Sequence, residues 1–303
     1  MERFADRLAT AVQRRGNAVC VGLDPRWRNL PESFRRGHDE TYSAMADAYR
    51  QFCNEVCDVI APFAPIVKVQ AAFFEELGPS GMAAMGEVIA HAQNRGLLVI
   101  VDGKRNDIGS TAEAYARAYL GRERSAWHAD ALTVSPYLGD DSLSPFVEIA
   151  EERAAGVFVL VKTSNPGGQF LQDLSSAGSK IYRRVAAHVE QLAAASTGEC
   201  GYGAVGAVVG ATYPEQLSEL RQAMPHTWFL VPGYGSQGGT AADVAVAFDS
   251  NGLGAIINNS RNIIFAHERA EFAQRLGPAR WQEAVEAATR QMIDELTAAI
   301  PRR

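Results

Sequence analysis

Short apolar runs return along the chain at regular intervals. They are AVCVGLD (18–24), PIVKVQ (65–70), LLVIVDGK (97–104), ALTVSP (131–136), VFVLVKTS (157–164), VGAVVGAT (205–212), TWFLVPG (227–233) and GAIINNS (254–260). Most are nearly continuous rather than alternating, the pattern of parallel strands covered on both faces. Helix-like segments lie between them: 39–61, 80–96, 110–121, 143–156, 179–195, 213–224 and 240–252, with a last one over 279–300. Several begin with Ser, Thr or Asp and stop at Gly. The opening MERFADRLATAVQRRG reads as an amphipathic helix, without the apolar core of a signal peptide.

Eight strand–helix repeats predict an α/β fold of the closed (β/α)8 TIM-barrel kind, with an open doubly wound sheet as the alternative. No linker interrupts the series, so residues 1–303 read as a single barrel domain with an N-terminal helix. Two connections are enlarged: 25–38 after the first strand, and the Gly-rich 165–178 after the fifth. Both fall on the face where a barrel carries its chemistry.

Composition narrows the function. Hydrophobic residues make up 47% of the 303 positions and charged residues 21%, a globular profile. The net charge of −6, without a Lys/Arg block, argues against a nucleic-acid partner. A small phosphorylated substrate remains open to it. The four cysteines form no CxxC pair and read as reduced thiols of a cytoplasmic protein. No run reaches the roughly 18 apolar residues of a membrane span.

One motif match carries little. GYGAVG (201–206) fits GxGxxG, but precedes a strand where the dinucleotide fingerprint must follow one. It reads as a turn feeding a close-packed strand. The six histidines form no motif-like cluster, so no metal site is expected.

Chemistry gathers at the strand ends. The first run ends at Asp24, the second carries Lys68 inside IVKVQ, and the third ends VDGKRND, with Asp102, Lys104 and Asp107. Alternation places 102 and 104 on one strand face. Asp107 can turn back over the mouth, with Thr111 near the start of the next helix. A lysine between two carboxylates keeps its charge and its place. That disfavours Schiff-base chemistry and suits proton delivery to carbon, or stabilisation of carbanionic charge. A fixed carboxylate such as Asp102 would repel a substrate carboxylate, and loss of carbon dioxide would relieve that repulsion.

The last two loops, VPGYGSQGGT (231–240) and NNSRNI (258–263), follow strands seven and eight, where barrels cradle phosphate. Gly235 and Gly238 would let the backbone approach an anion, and Arg261 offers a fork of donors. Phosphate held there could supply the energy that brings a substrate carboxylate near Asp102.

The sequence resembles the orotidine 5'-phosphate decarboxylase family, in its longer bacterial branch. DGKRNDIGST matches the family pattern Asp-x-Lys-x-x-Asp-Ile-x-x-Thr at Asp102, Lys104, Asp107, Ile108 and Thr111. Asp24, Lys68, the segment TSNPGG (163–168), PGYGSQGG (232–239) and Ser260–Arg261 match further family segments, over about 18 to 265. The resemblance implies decarboxylation of orotidine 5'-monophosphate to uridine 5'-monophosphate, with neither metal nor organic cofactor. It implies a charge network of Lys68, Asp102, Lys104 and Asp107, in which Lys104 protonates C6 and Asp102 lies near the departing carboxylate. It implies that Asp24 and Lys68 contact ribose, Ser164 the base, Gln237 base and phosphate, and Ser260 and Arg261 phosphate, with Asn165 a substrate-binding residue whose partner stays open. It further implies a homodimer in which Asp107 and Thr111 reach the other subunit's substrate. The rivals are a metal-dependent sugar-phosphate lyase or decarboxylase on the same barrel, and a non-catalytic sugar-phosphate-binding protein. The first usually places a glutamate where Lys68 stands.

Overall fold

Fully apolar strands must be covered on both sides, and here a closed sheet does so with side chains inside and helices outside. The structure is a computed structural model and describes residues 2–37, 39–122, 124–235 and 238–300. The strands are β1 (Val19–Leu23), β2 (Ile66–Gln70), β3 (Leu98–Arg105), β4 (Ala131–Val134) and β5 (Gly156–Lys162), then a small hairpin of β6 (Ser175–Ser176) and β7 (Ser179–Lys180). β8 (Val205–Val209), β9 (Phe229–Val231) and β10 (Ala255–Asn259) follow. All but the hairpin join one closed barrel in the order β1-β10-β9-β8-β5-β4-β3-β2. Closure comes from parallel pairing of β1 with β10, Val19 opposite Ile257. The open-sheet alternative is thereby set aside.

The strands are shorter than their apolar runs. The 131–136 run ends as a strand at Val134 and the 227–233 run spans only Phe229–Val231. Pro136 and Pro232, which lack an N–H, stand just beyond these ends. The expected helix over 240–252 is helical only over Ala241–Ala245. Further on, Asp249 Oδ1 accepts from the N–H groups of Asn251 and Leu253 at 2.7 and 2.9 Å, which favours a turn over another helical turn.

Helix Phe4–Arg15 covers the end of the barrel away from the charged residues. Phe4 meets Phe158 edge-on at 6.1 Å between ring centres. A Cβ on Gly156 would lie 2.2 Å from the Phe4 ring, so glycine there admits the aromatic plug. Arg7 pairs with fully buried Asp130 at the same end. The GYGAVG segment is the turn and close-packed strand expected: a Cβ on Gly203 would strike the Ala193 carbonyl at 2.0 Å. Both enlarged loops are present. The first contains two 3-10 turns, Trp27–Asn29 and Glu32–Phe34, and the second a short helix, Gln169–Gln172, and the hairpin. No helix is long and apolar enough to cross a membrane among the described residues.

Candidate active site

The chemistry sits on consecutive strand ends. β10, β1, β2, β3 and β4 are neighbours around the barrel, so their C-terminal residues form one arc of the rim. Asp24 follows β1, Lys68 lies in β2, and Asp102 and Lys104 lie in β3. Lys68 Nζ is 3.6 Å from Asp24 Oδ1 and 2.9 Å from Asp102 Oδ2, and Lys104 Nζ is 2.7 Å from Asp102 Oδ1. The order Asp24–Lys68–Asp102–Lys104 alternates in sign, with the buried pair Lys68–Asp102 lying between partly exposed Asp24 and more exposed Lys104. Lys68 is 4% exposed, whereas the Lys104 side chain is 48% exposed.

Within one chain, the lysine flanked by two carboxylates is therefore Lys68, not Lys104 as the sequence suggests. Asp107 does not pair with Lys104. Its Oδ1 accepts from the Ile108 N–H at 2.9 Å, and it makes no ion pair among the described residues. The reason is the chain direction: Asp107 belongs to the exit from β3, and helix Gly109–Tyr119, with exposed Thr111, leads outward from there.

Simple alternation does not explain how 102 and 104 meet. Val101 pairs with Leu132 and Arg105 with Val134, so three residues of β3 stand opposite the single residue Thr133. This bulge puts Lys104 at φ +45°, a left-handed conformation costing a non-glycine residue about 1–2 kcal/mol. Arg105 pins the strand beyond the bulge, pairing with Glu75 and bonding the Tyr119 hydroxyl at 2.9 Å.

Asp102 accepts four donors. Oδ2 takes Lys68 and the Gln70 amide at 3.0 Å, and Oδ1 takes Lys104 and the Thr133 hydroxyl at 2.8 Å. Burial pushes its carboxyl upward, but Lys68 and Lys104 outweigh burial and hold it well below the carboxylate range. Burial likewise pulls Lys68 down, and Asp102 and Asp24 more than restore it, raising it above an ordinary lysine. Both groups are ionised across neutral pH. Gln70 and Thr133 were missed in the sequence. Gln70 was legible as the residue two beyond Lys68 on the same strand face, and Thr133 as the lone hydroxyl inside ALTV.

The phosphate end lies beside Asp24. Ser260 and Arg261 follow β10, with Arg261 opening the short helix Arg261–Ile264. Arg261 is exposed and lines a cavity of about 340 Å³ with Arg26, Asn29 and Arg269. A Cβ on Gly22 would fall 1.8 Å from Ser260 Oγ, so the bare strand at Gly22 makes room for that hydroxyl. Gly22 is paired with Lys68, which ties the phosphate end to the charge network. Gly235 and Gly238 adopt φ of +70° and +93°. Their N–H groups donate inside the loop, to Gly239 at 2.8 Å and Gly235 at 3.0 Å, rather than standing open to an anion. Gln237 lies outside the described residues.

At the opposite rim, Ser164 follows β5. Its carbonyl accepts from the Thr212 hydroxyl at 3.2 Å, and Asn165 is exposed. Gln172 folds back on Thr163, accepting from its N–H at 3.0 Å and donating to its hydroxyl at 2.8 Å. No group of three or more His, Cys, Asp or Glu among the described residues is disposed to hold a metal ion.

Comparison with known proteins bears on this arrangement. The model of the orotidine 5'-phosphate decarboxylase / HUMPS family matches residues 17–276. A Rhodopirellula baltica orotidine 5'-phosphate decarboxylase is 59% identical over 300 residues, 98% of this chain and 99% of its own. A Streptomyces avermitilis crystal structure superposes with a TM-score of 0.82 at 34% identity, covering 99% of this chain and 96% of that one. Leishmania donovani OMP decarboxylase gives 0.75 at 34% identity, with 98% of each chain covered.

Proposed function

Because the chain belongs to the orotidine 5'-phosphate decarboxylase / HUMPS family, we propose that it converts orotidine 5'-monophosphate to uridine 5'-monophosphate and carbon dioxide, with Lys104 delivering the proton to C6. The observation that carries the reading is the alternating run Asp24–Lys68–Asp102–Lys104, which ends in an accessible ammonium beside a carboxylate that cannot readily be neutralised.

The chemistry follows from that placement. The pyrimidine carboxylate, brought to the rim, meets the fixed charge of Asp102. The C6–carboxylate bond breaks, its electron pair stays on C6, and carbon dioxide leaves. The developing charge lies next to the Lys104 ammonium, which gives up a proton to form the C6–H bond and is reprotonated from solvent. Asp102 keeps Lys104 in place throughout, and Lys68 keeps Asp102 ionised. In this reading Asp24 and Lys68 bind ribose hydroxyls, Ser164 the base, Gln237 base and phosphate, and Ser260, Arg261, Gly235 and Gly238 the phosphate, with Asn165 a further substrate contact. Phosphate binding supplies energy that offsets the repulsion at the carboxylate.

The working unit in this reading is a homodimer of single-domain barrels in a reducing cytoplasm. Ile108, Tyr115, Tyr137 and Leu138 are exposed apolar side chains on the segments after β3 and β4, the first of which also carries Asp107. That surface suits a second copy, whose Asp107 and Thr111 would complete the site and give Lys104 its second carboxylate. All four cysteines are free, as a reducing compartment would keep them.

The test is loss of the orotate chromophore when EDTA-treated protein meets orotidine 5'-monophosphate. Full activity after chelation is expected; activity lost to EDTA and restored by magnesium would point to metal-dependent chemistry instead. Mixed Lys104→Ala and Asp107→Ala subunits, each inactive alone, should regain part of the activity, and no recovery would refute shared sites.

A further inference from the structure

We propose that Thr133, on β4, is a positioning residue for the decarboxylation, acting through both Asp102 and Lys104. The inference rests on the function proposed above and adds a residue to it.

Thr133 is 1% exposed and faces the bulge where three residues of β3 oppose it. Its hydroxyl has one proton. The Lys104 N–H donates to Oγ1 at 2.9 Å, so that oxygen is the acceptor there. The hydroxyl proton is thereby free for Asp102, and Oγ1 lies 2.8 Å from Asp102 Oδ1. Oδ1 is also the oxygen that receives the Lys104 ammonium at 2.7 Å. One hydroxyl thus fixes the left-handed backbone of Lys104 and the carboxylate oxygen that holds its side chain. Backbone and ammonium of the proton donor are referenced to the same buried point.

A purely structural threonine would matter for stability alone. Here its loss frees two linked parts of the reacting apparatus. Thr133→Val keeps the shape but leaves the Lys104 N–H without its acceptor and Asp102 with three donors in place of four. The effect belongs in turnover, because the proposed ribose and phosphate contacts lie on or just after β9, β10, β1 and β2, none of which pairs with β4.

The experiment measures kcat, KM and the pH dependence of kcat for wild type, Thr133→Val and Thr133→Ser, with uridine 5'-monophosphate affinity by calorimetry. Thr133→Val should lose about 10- to 100-fold in kcat, as expected for a buried charged group deprived of a donor. Its KM and product affinity should stay within about threefold of wild type. The acid limb of its kcat profile should move to higher pH as Asp102 loses a hydrogen bond. Thr133→Ser should restore kcat to within about fivefold of wild type. Wild-type kcat and profile in Thr133→Val, a Thr133→Ser variant equally impaired, or a loss confined to KM would each overturn the assignment. If Thr133→Val does not fold, Thr133→Ala against Thr133→Ser isolates the same hydroxyl under the same criteria. A wild-type protein that leaves orotidine 5'-monophosphate intact would remove the underlying function; an active wild type with an indifferent Thr133→Val removes only this inference.

Discussion

Among the described residues two lysines are buried in barrel strands, Lys68 on β2 and Lys162 on β5, and each is paired with an aspartate. Lys162 is 2% exposed and donates to Asp173 Oδ2 at 2.8 Å. The difference lies in what each pair is attached to. Asp102, the partner of Lys68, is on the neighbouring strand and passes the alternation on to an accessible Lys104. Asp173 comes from the enlarged loop after β5 and also pairs with part-exposed Lys180 of the hairpin in that loop at 3.6 Å, while the ammonium of Lys162 is enclosed by the rings of Tyr182 and Tyr213 at 5.5 and 5.4 Å. One pair leads along the rim to the proposed proton donor; the other leads only to Lys180 within the same loop and ties that loop down. A buried ion pair by itself is thus no mark of catalysis. What counts is where the run of charge leads: from strand to strand along the rim, or back into the loop it ties down.

The contrast can be broken by mutation. Lys104→Ala should have the largest effect, lowering turnover by about 10²–10⁴-fold, the usual worth of a positioned acid. Its melting temperature should stay near wild type, since Lys104 is half exposed; wild-type turnover would reject the assignment. Asp102→Asn should harm both properties, with turnover falling and stability dropping by about 3–5 kcal/mol in a denaturant titration, because two ammoniums lose their counter-charge. Lys162→Met should separate the pairs. It should cost roughly 1–3 kcal/mol, less than the usual buried pair because Asp173 can rehydrate. Saturated turnover should fall less than tenfold, while KM rises as the loop beside Ser164 loosens. A collapse of kcat on the scale of Lys104→Ala would make the two pairs equivalent.

The smallest effect is in pH. Asp102 is depressed below the ordinary 3.8, so its stabilisation is complete above that value and fades as pH falls below it. Lys68 is raised above the ordinary 10.5, so its contribution is complete below that value and fades as pH climbs past it. The stability difference between wild type and Asp102→Asn should therefore be flat between about pH 4 and 10 and shrink below. A slope through neutrality in urea titrations would contradict the paired assignment.

The barrel was legible because its strands, buried on both faces, write themselves as eight apolar runs. Asp24, Lys68, Asp102 and Lys104 were legible because charge inside or at the end of such runs is costly without a purpose. Which lysine stands between two carboxylates within one chain was not, because Asp107 leaves with the exit from β3, where no periodic pattern fixes its direction. Gln70 and Thr133 escaped for a related reason: neutral donors become conspicuous only beside the carboxylate they serve. Lys162 lies inside VFVLVKTS in plain view, but its partner is 11 residues away in a loop without periodic pattern. The Gly235 and Gly238 turns were foreseeable from composition, whereas the internal bonding of their amides depends on loop closure.

The aromatic plug formed by Phe4 against Phe158 has a bearing on traffic. With the floor stoppered, the barrel is a cup rather than a tube. Side chains fill what lies between floor and lip, so in the proposed reading the nucleotide comes and goes by the charged lip alone.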